Sequence, residues 1–100
     1  MPFSVRWKQT LIEGVVDLAF VEDEGVVVVD FKTDRIEGGV PSAAQLAAYR
    51  PQAVVYAFGV ERTTGLPVRE MWLSFLRSGT EARVRGDWEA EVETLIAAAR

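Results

Sequence analysis

Short stretches of alternating or continuous hydrophobic residues run through the chain and predict a protein built largely from β-strands. Ser4 to Ile12 mixes polar and apolar residues as an exposed or edge strand does, and Val15 to Val21 forms a second strand. Val26 to Thr33 begins with four valines and is apolar on both faces, so we expect it near the centre of the sheet. Val68 to Arg77 alternates again, and Glu81 to Arg85 adds a short edge strand.

The helical part of the pattern lies between these strands and after them. Ser42 is a favourable N-cap residue and predicts a short helix that ends at Tyr49. Proline is tolerated in the first turn of a helix and disfavoured further along, so Pro51 predicts a separate second helix from about Arg50 to Val60. A terminal helix from Trp88 to Ala99 carries its apolar residues on one face. The order β-β-β-α-β-α predicts an α/β (α+β) fold, with helices packed on a mixed, twisted sheet.

The composition limits the chemistry that this fold can carry. One hundred residues with 49% apolar content suit one compact domain, residues 1–100. The chain has no cysteine and no histidine, so any metal must be held by oxygen ligands, which favours Mg²⁺ or Mn²⁺. The net charge of −4 argues against binding nucleic acid by charge alone. No apolar run is long enough to predict a membrane span, and the early strand pattern leaves no room for a signal peptide, so we expect a cytoplasmic location.

Two acidic residues and a lysine on neighbouring strands are the strongest candidates for chemistry. Asp30 and Lys32 are two residues apart on the valine-rich strand, so their side chains point to the same face. A two-residue turn at Asp23–Glu24 pairs residues whose numbers sum to 47, because 23 plus 24 is 47. This register places Asp17 directly across from Asp30, since 17 plus 30 is 47, and Lys32 across from Val15.

Two features leave alternatives open at this point. Gly25, which can take a positive φ in the turn, would shift the register by one residue if it formed a bulge. A lone carboxylate and lysine on a strand also commonly form a surface ion pair of small energetic value. Two opposed carboxylates, however, repel each other unless one is protonated or a cation lies between them. The three side chains together therefore favour a site for a divalent metal and a phosphate.

Three segments of the chain resemble the RecB-type nuclease domains of bacterial helicase-nucleases, within the PD-(D/E)xK nuclease superfamily. They are the blocks Glu13–Leu18, Val28–Asp34 and Tyr49–Ala57, which occur in the family's order. The similarity runs from about Phe3 to Arg85. It implies a restriction-endonuclease-like core that lacks the family's upstream helical part.

The third block matches the family's helix signature Y-x-x-Q-x-x-x-Y-A, which selects Gln52 and Tyr56 rather than the similarly spaced Gln45 and Tyr49. An i, i+4 pair lies on one face of a helix. The resemblance implies that Gln52 and Tyr56 contact DNA or steady the catalytic lysine. The site residues that it implies are Asp17, Asp30, Lys32, Gln52 and Tyr56 for catalysis, with Asp17, Asp30 and the carbonyl of Phe31 as ligands of Mg²⁺ (or Mn²⁺).

The resemblance implies a Mg²⁺-dependent, exonuclease-type deoxyribonuclease that acts in double-strand break repair and recombination, with DNA as substrate and helicase domains as partners. Lys32 would stabilise charge at the phosphate, or orient and help deprotonate the attacking water. Because the upstream helical part often supplies a histidine ligand, a catalytically silent truncated fold that acts as a scaffold or protein-interaction module is the alternative. A restriction-type or Holliday-junction nuclease is disfavoured by the helix signature. A homodimer of the fragment stays open, and Asp34 is expected to accept hydrogen bonds from loop backbone.

Overall fold

In a computed structural model of the protein, which describes residues 1–99, the chain forms six β-strands, two α-helices and one short 3₁₀ turn. The elements are, in chain order, β1 (Pro2–Trp7), β2 (Thr10–Val15), β3 (Leu18–Glu22), β4 (Gly25–Lys32), the 3₁₀ turn (Glu37–Gly39), α1 (Ala43–Thr64), β5 (Val68–Phe75), β6 (Thr80–Val84) and α2 (Trp88–Ala98). Within the described residues, neither helix is long and apolar enough to cross a membrane.

β1 and β2 form an antiparallel hairpin that is a sheet of its own. The predicted single strand from Ser4 to Ile12 is therefore wrong. The chain reverses at Lys8, which has a positive φ of 57°, so that Trp7 pairs with Thr10. Polar residues at the turn concealed this reversal, because the same mixed pattern also describes an edge strand.

The predicted strand from Val15 to Val21 is interrupted as well. Val16 and Asp17 lie outside both β2 and β3, and the side chain of Val16 is completely buried. The chain bends here because Val16 turns into the core while the strands on either side belong to different sheets. The bend separates the first hairpin from the second.

β4 lies inside a four-stranded mixed sheet with the order β3-β4-β5-β6. It pairs antiparallel with β3 and parallel with β5, and β6 follows β5 as an antiparallel edge strand. The central position predicted from its valines is confirmed, since Val26 and Val28 are 2% and 0% exposed. The full element order is β-β-β-β-α-β-β-α, so the predicted order lacked one strand of the first hairpin; the short edge strand predicted from Glu81 to Arg85 is β6. The predicted α+β class with a mixed sheet is confirmed.

The turn between β3 and β4 sets the register of the second hairpin. Glu22 pairs with Gly25, and 22 plus 25 is 47, so the predicted register is correct. The residues Asp23–Glu24 have φ values of 50° and 61°, as a two-residue hairpin turn requires. Gly25 does not supply the positive φ, contrary to expectation. A Cβ at Gly25 would lie 2.5 Å from Cγ of Arg69, so a larger residue there would require this exposed side chain to move.

α1 is a single helix of 22 residues rather than two helices divided at Pro51. Ser42 caps it: its side chain accepts from the backbone N–H of Gln45 at 3.1 Å, and the Gln45 side chain accepts from the backbone N–H of Ser42 at 2.8 Å. Pro51 deprives the carbonyl of Ala47 of its helical donor, but both residues are exposed, so water can hydrate that carbonyl. The packing of buried residues between Ala53 and Val60 then stabilises the helix beyond the proline.

The ring of Phe3 docks the first hairpin on α1. It lies between Gly14 of β2 and Gly59 of α1. A Cβ at Gly14 would lie 2.8 Å from the ring Cζ, and a Cβ at Gly59 would lie 2.5 Å from two ring carbons. The ring also meets Tyr56 in an edge-on pair with centroids 6.0 Å apart. The hairpin therefore supports one of the predicted site residues.

α2 completes the fold against α1. Its N-cap residue is Asp87, whose Oδ1 accepts a hydrogen bond from the backbone N–H of Ala90 at 3.1 Å, and the helix predicted from Trp88 is found there. Arg50 of α1 contacts Glu91 of α2 at 2.7 Å and donates to the carbonyl of Arg85 at 2.6 Å. These contacts join the two helices and the segment that follows β6.

Candidate active site

The two predicted acids lie where β3 begins and where β4 ends. Leu18 pairs with Val29, so Asp17 and Asp30 occupy the next opposed positions of the hairpin. Asp17 is exposed, and its Oδ2 accepts a hydrogen bond of 2.8 Å from the backbone N–H of Phe31. This bond holds the Asp17 carboxylate against β4, although Asp17 itself precedes the strand.

Asp30 is a carboxylic acid on the core-facing side of the sheet. It is 5% exposed and pairs with the completely buried Leu73 of β5. Burial raises the pKa of the Asp30 carboxyl above its ordinary value, the neighbouring Asp17 raises it further, and Lys32 opposes both. The net direction is upward because the loss of hydration outweighs the attraction of one ammonium group.

The Asp30 carboxylate and Lys32 form an ion pair, with Oδ2 and Nζ 2.8 Å apart. The Lys32 ammonium, which rotates about its stem, lies within hydrogen-bonding distance of this oxygen. A buried carboxylate beside a second acid is costly to hold ionised and suits a position that receives a cation.

Lys32 is joined to the helix by a chain of hydrogen bonds. Its Nζ donates to Oε1 of Gln52 at 2.6 Å, and Nε2 of Gln52 donates to the hydroxyl of Tyr56 at 3.2 Å. Gln52 and Tyr56 share a face of α1 because they are one turn apart. The structure thus brings the candidate residues of β4 and α1 together at one place.

The predicted position of Lys32 across from Val15 is wrong. Lys32 pairs with Phe75 of β5, and Val15 pairs with Pro2 in the first hairpin. The register of the β3–β4 hairpin could not be extended to Val15, because the chain bends away at Val16. Lys32 reaches Asp30 from within its own strand instead.

Tyr49 and Asp34 lie beside the same lysine, and the sequence pattern did not assign either of them to the site. The Tyr49 hydroxyl donates a hydrogen bond to Oδ2 of Asp34, so the prediction that Asp34 accepts from loop backbone is wrong. Nζ of Lys32 lies 5.0 Å from the centroid of the Tyr49 ring. A usable signal existed, because Tyr49 precedes Gln52 by three residues and therefore shares its helix face. Gln45 belongs to the helix cap.

The site has donor atoms that suit Mg²⁺. Asp17 and Asp30 supply two carboxylates, and Mg²⁺ is commonly held by one or two carboxylates together with water and phosphate oxygens. Within residues 1–99, no group of three or more His, Cys, Asp or Glu residues is placed to hold a metal ion. A hard cation beside Asp30 would stabilise its ionised form and relieve its repulsion with Asp17. The carbonyl of Phe31 as a further ligand remains a prediction.

Comparison with known proteins points to bacterial helicase-nucleases. The chain is 39% identical over 77 residues to an ATP-dependent helicase/nuclease subunit of Carboxydothermus hydrogenoformans, which is 77% of this chain and 6% of that protein. It is 39% identical over 71 residues to the protein of the same name from Bacillus cytotoxicus and 37% identical over 71 residues to that from Bacillus cereus, in each case over 65% of this chain. The chain spans about 6% of the length of these relatives. No family model matches the sequence.

Proposed function

We propose that this chain is the catalytic part of a metal-dependent DNA nuclease of the RecB type, which hydrolyses phosphodiester bonds. The observation that carries the proposal is the ion pair of 2.8 Å between the buried Asp30 and Lys32, whose ammonium Gln52 holds at 2.6 Å. A fold gains little stability from such a pair at the edge of its core. The similarity to proteins named as helicase/nuclease subunits supports the same interpretation.

Each side chain then has a role. Asp17 and Asp30, with the backbone carbonyl that follows Asp30, would hold Mg²⁺, which when bound polarises a phosphate oxygen and activates water. Nζ of Lys32 contacts Oδ2 of Asp30 and donates to Oε1 of Gln52, so it is placed as a hydrogen-bond donor. We therefore assign Lys32 to stabilising negative charge on the phosphate rather than to taking a proton from water. Tyr56 fixes the amide of Gln52.

DNA as substrate and helicase regions as partners belong to the same proposal. The net charge of −4 and the two carboxylates repel a phosphate backbone, so this chain needs bound cations and neighbouring protein surface to hold DNA. The relatives are far longer than this chain, since it spans about 6% of their length. We propose that the remainder of such a protein unwinds DNA and delivers a strand to this site for exonucleolytic cleavage during double-strand break repair and recombination.

Two substitutions and one matched control test the proposal. Labelled linear DNA and isothermal titration with Mg²⁺ are used on this chain and on a longer protein that contains it. Asp30→Asn should lose both Mg²⁺ binding and cleavage, because it removes a ligand charge. Lys32→Ala should keep Mg²⁺ binding and lower the cleavage rate by about 10²–10³-fold, as the loss of one preorganised donor does. Glu24→Gln, in the turn of the same hairpin, removes an acid away from the site and should change neither.

A catalytically silent module is the second candidate. It is favoured by one observation, that no third acid joins Asp17 and Asp30 within residues 1–99. If the unmodified chain shows neither Mg²⁺ binding at millimolar concentrations nor cleavage, the silent module is the better account. If Lys32→Ala cleaves DNA at the normal rate, the assignment of Lys32 is rejected.

A further inference from the structure

Tyr49 lies on the third side of the Lys32 ammonium. Asp30 contacts the ammonium from β4, and Gln52 accepts a hydrogen bond from it on α1. The ring of Tyr49, one turn before Gln52, lies with its centroid 5.0 Å from Nζ. A cation over the face of an aromatic ring is attracted by its quadrupole, most strongly where water is partly excluded. The Lys32 side chain is only 15% exposed, so this condition is met.

The ring is itself held in place from two directions. Its hydroxyl donates to the carboxylate of Asp34, which lies two residues beyond Lys32 in the chain. The Tyr49 ring also packs against the buried ring of Phe75, with centroids 5.8 Å apart and an angle of 54° between the ring planes. Donation to an anion also increases the electron density of the phenol ring, which strengthens its attraction for a cation. The hydrogen bond to Asp34 therefore fixes both the orientation and the electronic character of the ring.

We propose that Tyr49, anchored by Asp34, is a positioning residue that holds the Lys32 ammonium between Asp30 and Gln52. The catalytic consequence of this placement rests on the proposed nuclease function. A lysine has a flexible four-carbon stem, and contacts with two oxygens leave it able to rotate. The ring of Tyr49 covers the side of the ammonium that Asp30 and Gln52 leave open. It therefore keeps the ammonium where it can contact a phosphate.

Proton NMR of this chain tests the contact without any catalytic assay. The ring current of Tyr49 should move the ε-methylene signals of Lys32 upfield of the position usual for a lysine in water. Tyr49→Leu should abolish that shift. Tyr49→Phe keeps the ring but loses the hydrogen bond to Asp34, and Asp34→Ala removes the same bond without changing a core residue, so both should reduce the shift by a similar and smaller amount. Thermal melts of all variants report whether each is folded.

DNA cleavage provides the second readout. Tyr49→Leu should lower kcat about two- to fivefold with KM for DNA unchanged, and Tyr49→Phe should lower it less. Lys32 signals that do not move in Tyr49→Leu or in Asp34→Ala would overturn the proposal, and so would equal losses of kcat in Tyr49→Leu and Tyr49→Phe. If the unmodified chain does not cleave DNA, the proposed function fails, and the NMR comparison still decides whether Tyr49 places the amine.

Discussion

Replacement of Gly59 by alanine sets two opposing effects against each other. Glycine inside a helix is about 1 kcal/mol less favourable than alanine, so helix propensity alone predicts that Gly59→Ala stabilises α1. The structure predicts the opposite, because the new Cβ would lie 2.5 Å from two carbons of the Phe3 ring. The ring has little room to retreat, because it lies so close to Gly14 on its other side that a Cβ built there would be 2.8 Å from Cζ. Overpacking of this kind costs about 1–3 kcal/mol.

The tight fit on both sides of the ring places the cost near the upper end, so we expect a net loss of about 1–2 kcal/mol in the free energy of unfolding. For a domain of this size, each kcal/mol lowers Tm by roughly 4–8 °C. Urea denaturation of Gly59→Ala, Phe3→Leu and the double variant measures the coupling. In the Phe3→Leu background, where the ring is gone, Gly59→Ala should become neutral or stabilising. A gain of stability from Gly59→Ala in the otherwise unchanged chain would refute the packing of Phe3 against α1.

Two further perturbations follow from particular contacts. The hydrogen bond to Asp34 raises the pKa of Tyr49 above its ordinary value, so this contact stabilises the fold fully below pH of about 10 and is lost as pH rises through the pKa of the folded state. In an alkaline absorbance titration, Asp34→Asn should therefore move the ionisation of Tyr49 to lower pH, and Tyr49→Phe should remove the absorbance change that Tyr49 contributes. Identical titration curves for the unmodified chain and Asp34→Asn would contradict the hydrogen bond between Tyr49 and Asp34. Pro51→Ala restores a backbone N–H donor to α1 and should raise the free energy of unfolding by about 1–2 kcal/mol in urea denaturation. A decrease would mean that packing of the proline ring outweighs the lost hydrogen bond.

The parts of the fold that local physics determines could be predicted from the sequence. The central place of β4 follows from four valines, which require burial on both faces of a strand. The register of its hairpin follows from the two-residue turn Asp23–Glu24. The continuity of α1 could not be predicted, because it depends on packing that offsets the cost of Pro51. The position of the first hairpin depends on Phe3 fitting between two distant glycines, and a single sequence carries no signal for that contact.

The same distinction holds for the candidate site. Asp17 and Asp30 meet because strand register alone brings them together. Lys32 and Gln52 meet only when α1 packs over β4, and the family resemblance supplied that pairing where local reasoning could not. Tyr49 shares a helix face with Gln52, but the face of a helix does not identify its partner on a sheet. The role of Tyr49 emerged only with the position of the lysine.

The burial of Asp30 argues for a functional rather than a structural reason for its presence. Its neighbours on the core-facing side are Val28 and Leu73, both completely buried, so an apolar residue at position 30 would continue the core. Replacing a buried ion pair by apolar residues is commonly neutral or stabilising, and Asp30 carries the further cost of burial beside the acid of Asp17, which raises its pKa. Lys32 offsets only part of this cost. Under the proposed nuclease function, a cation bound beside Asp17 and Asp30 would offset the remainder, and this would explain a polar pair at this point of the sheet.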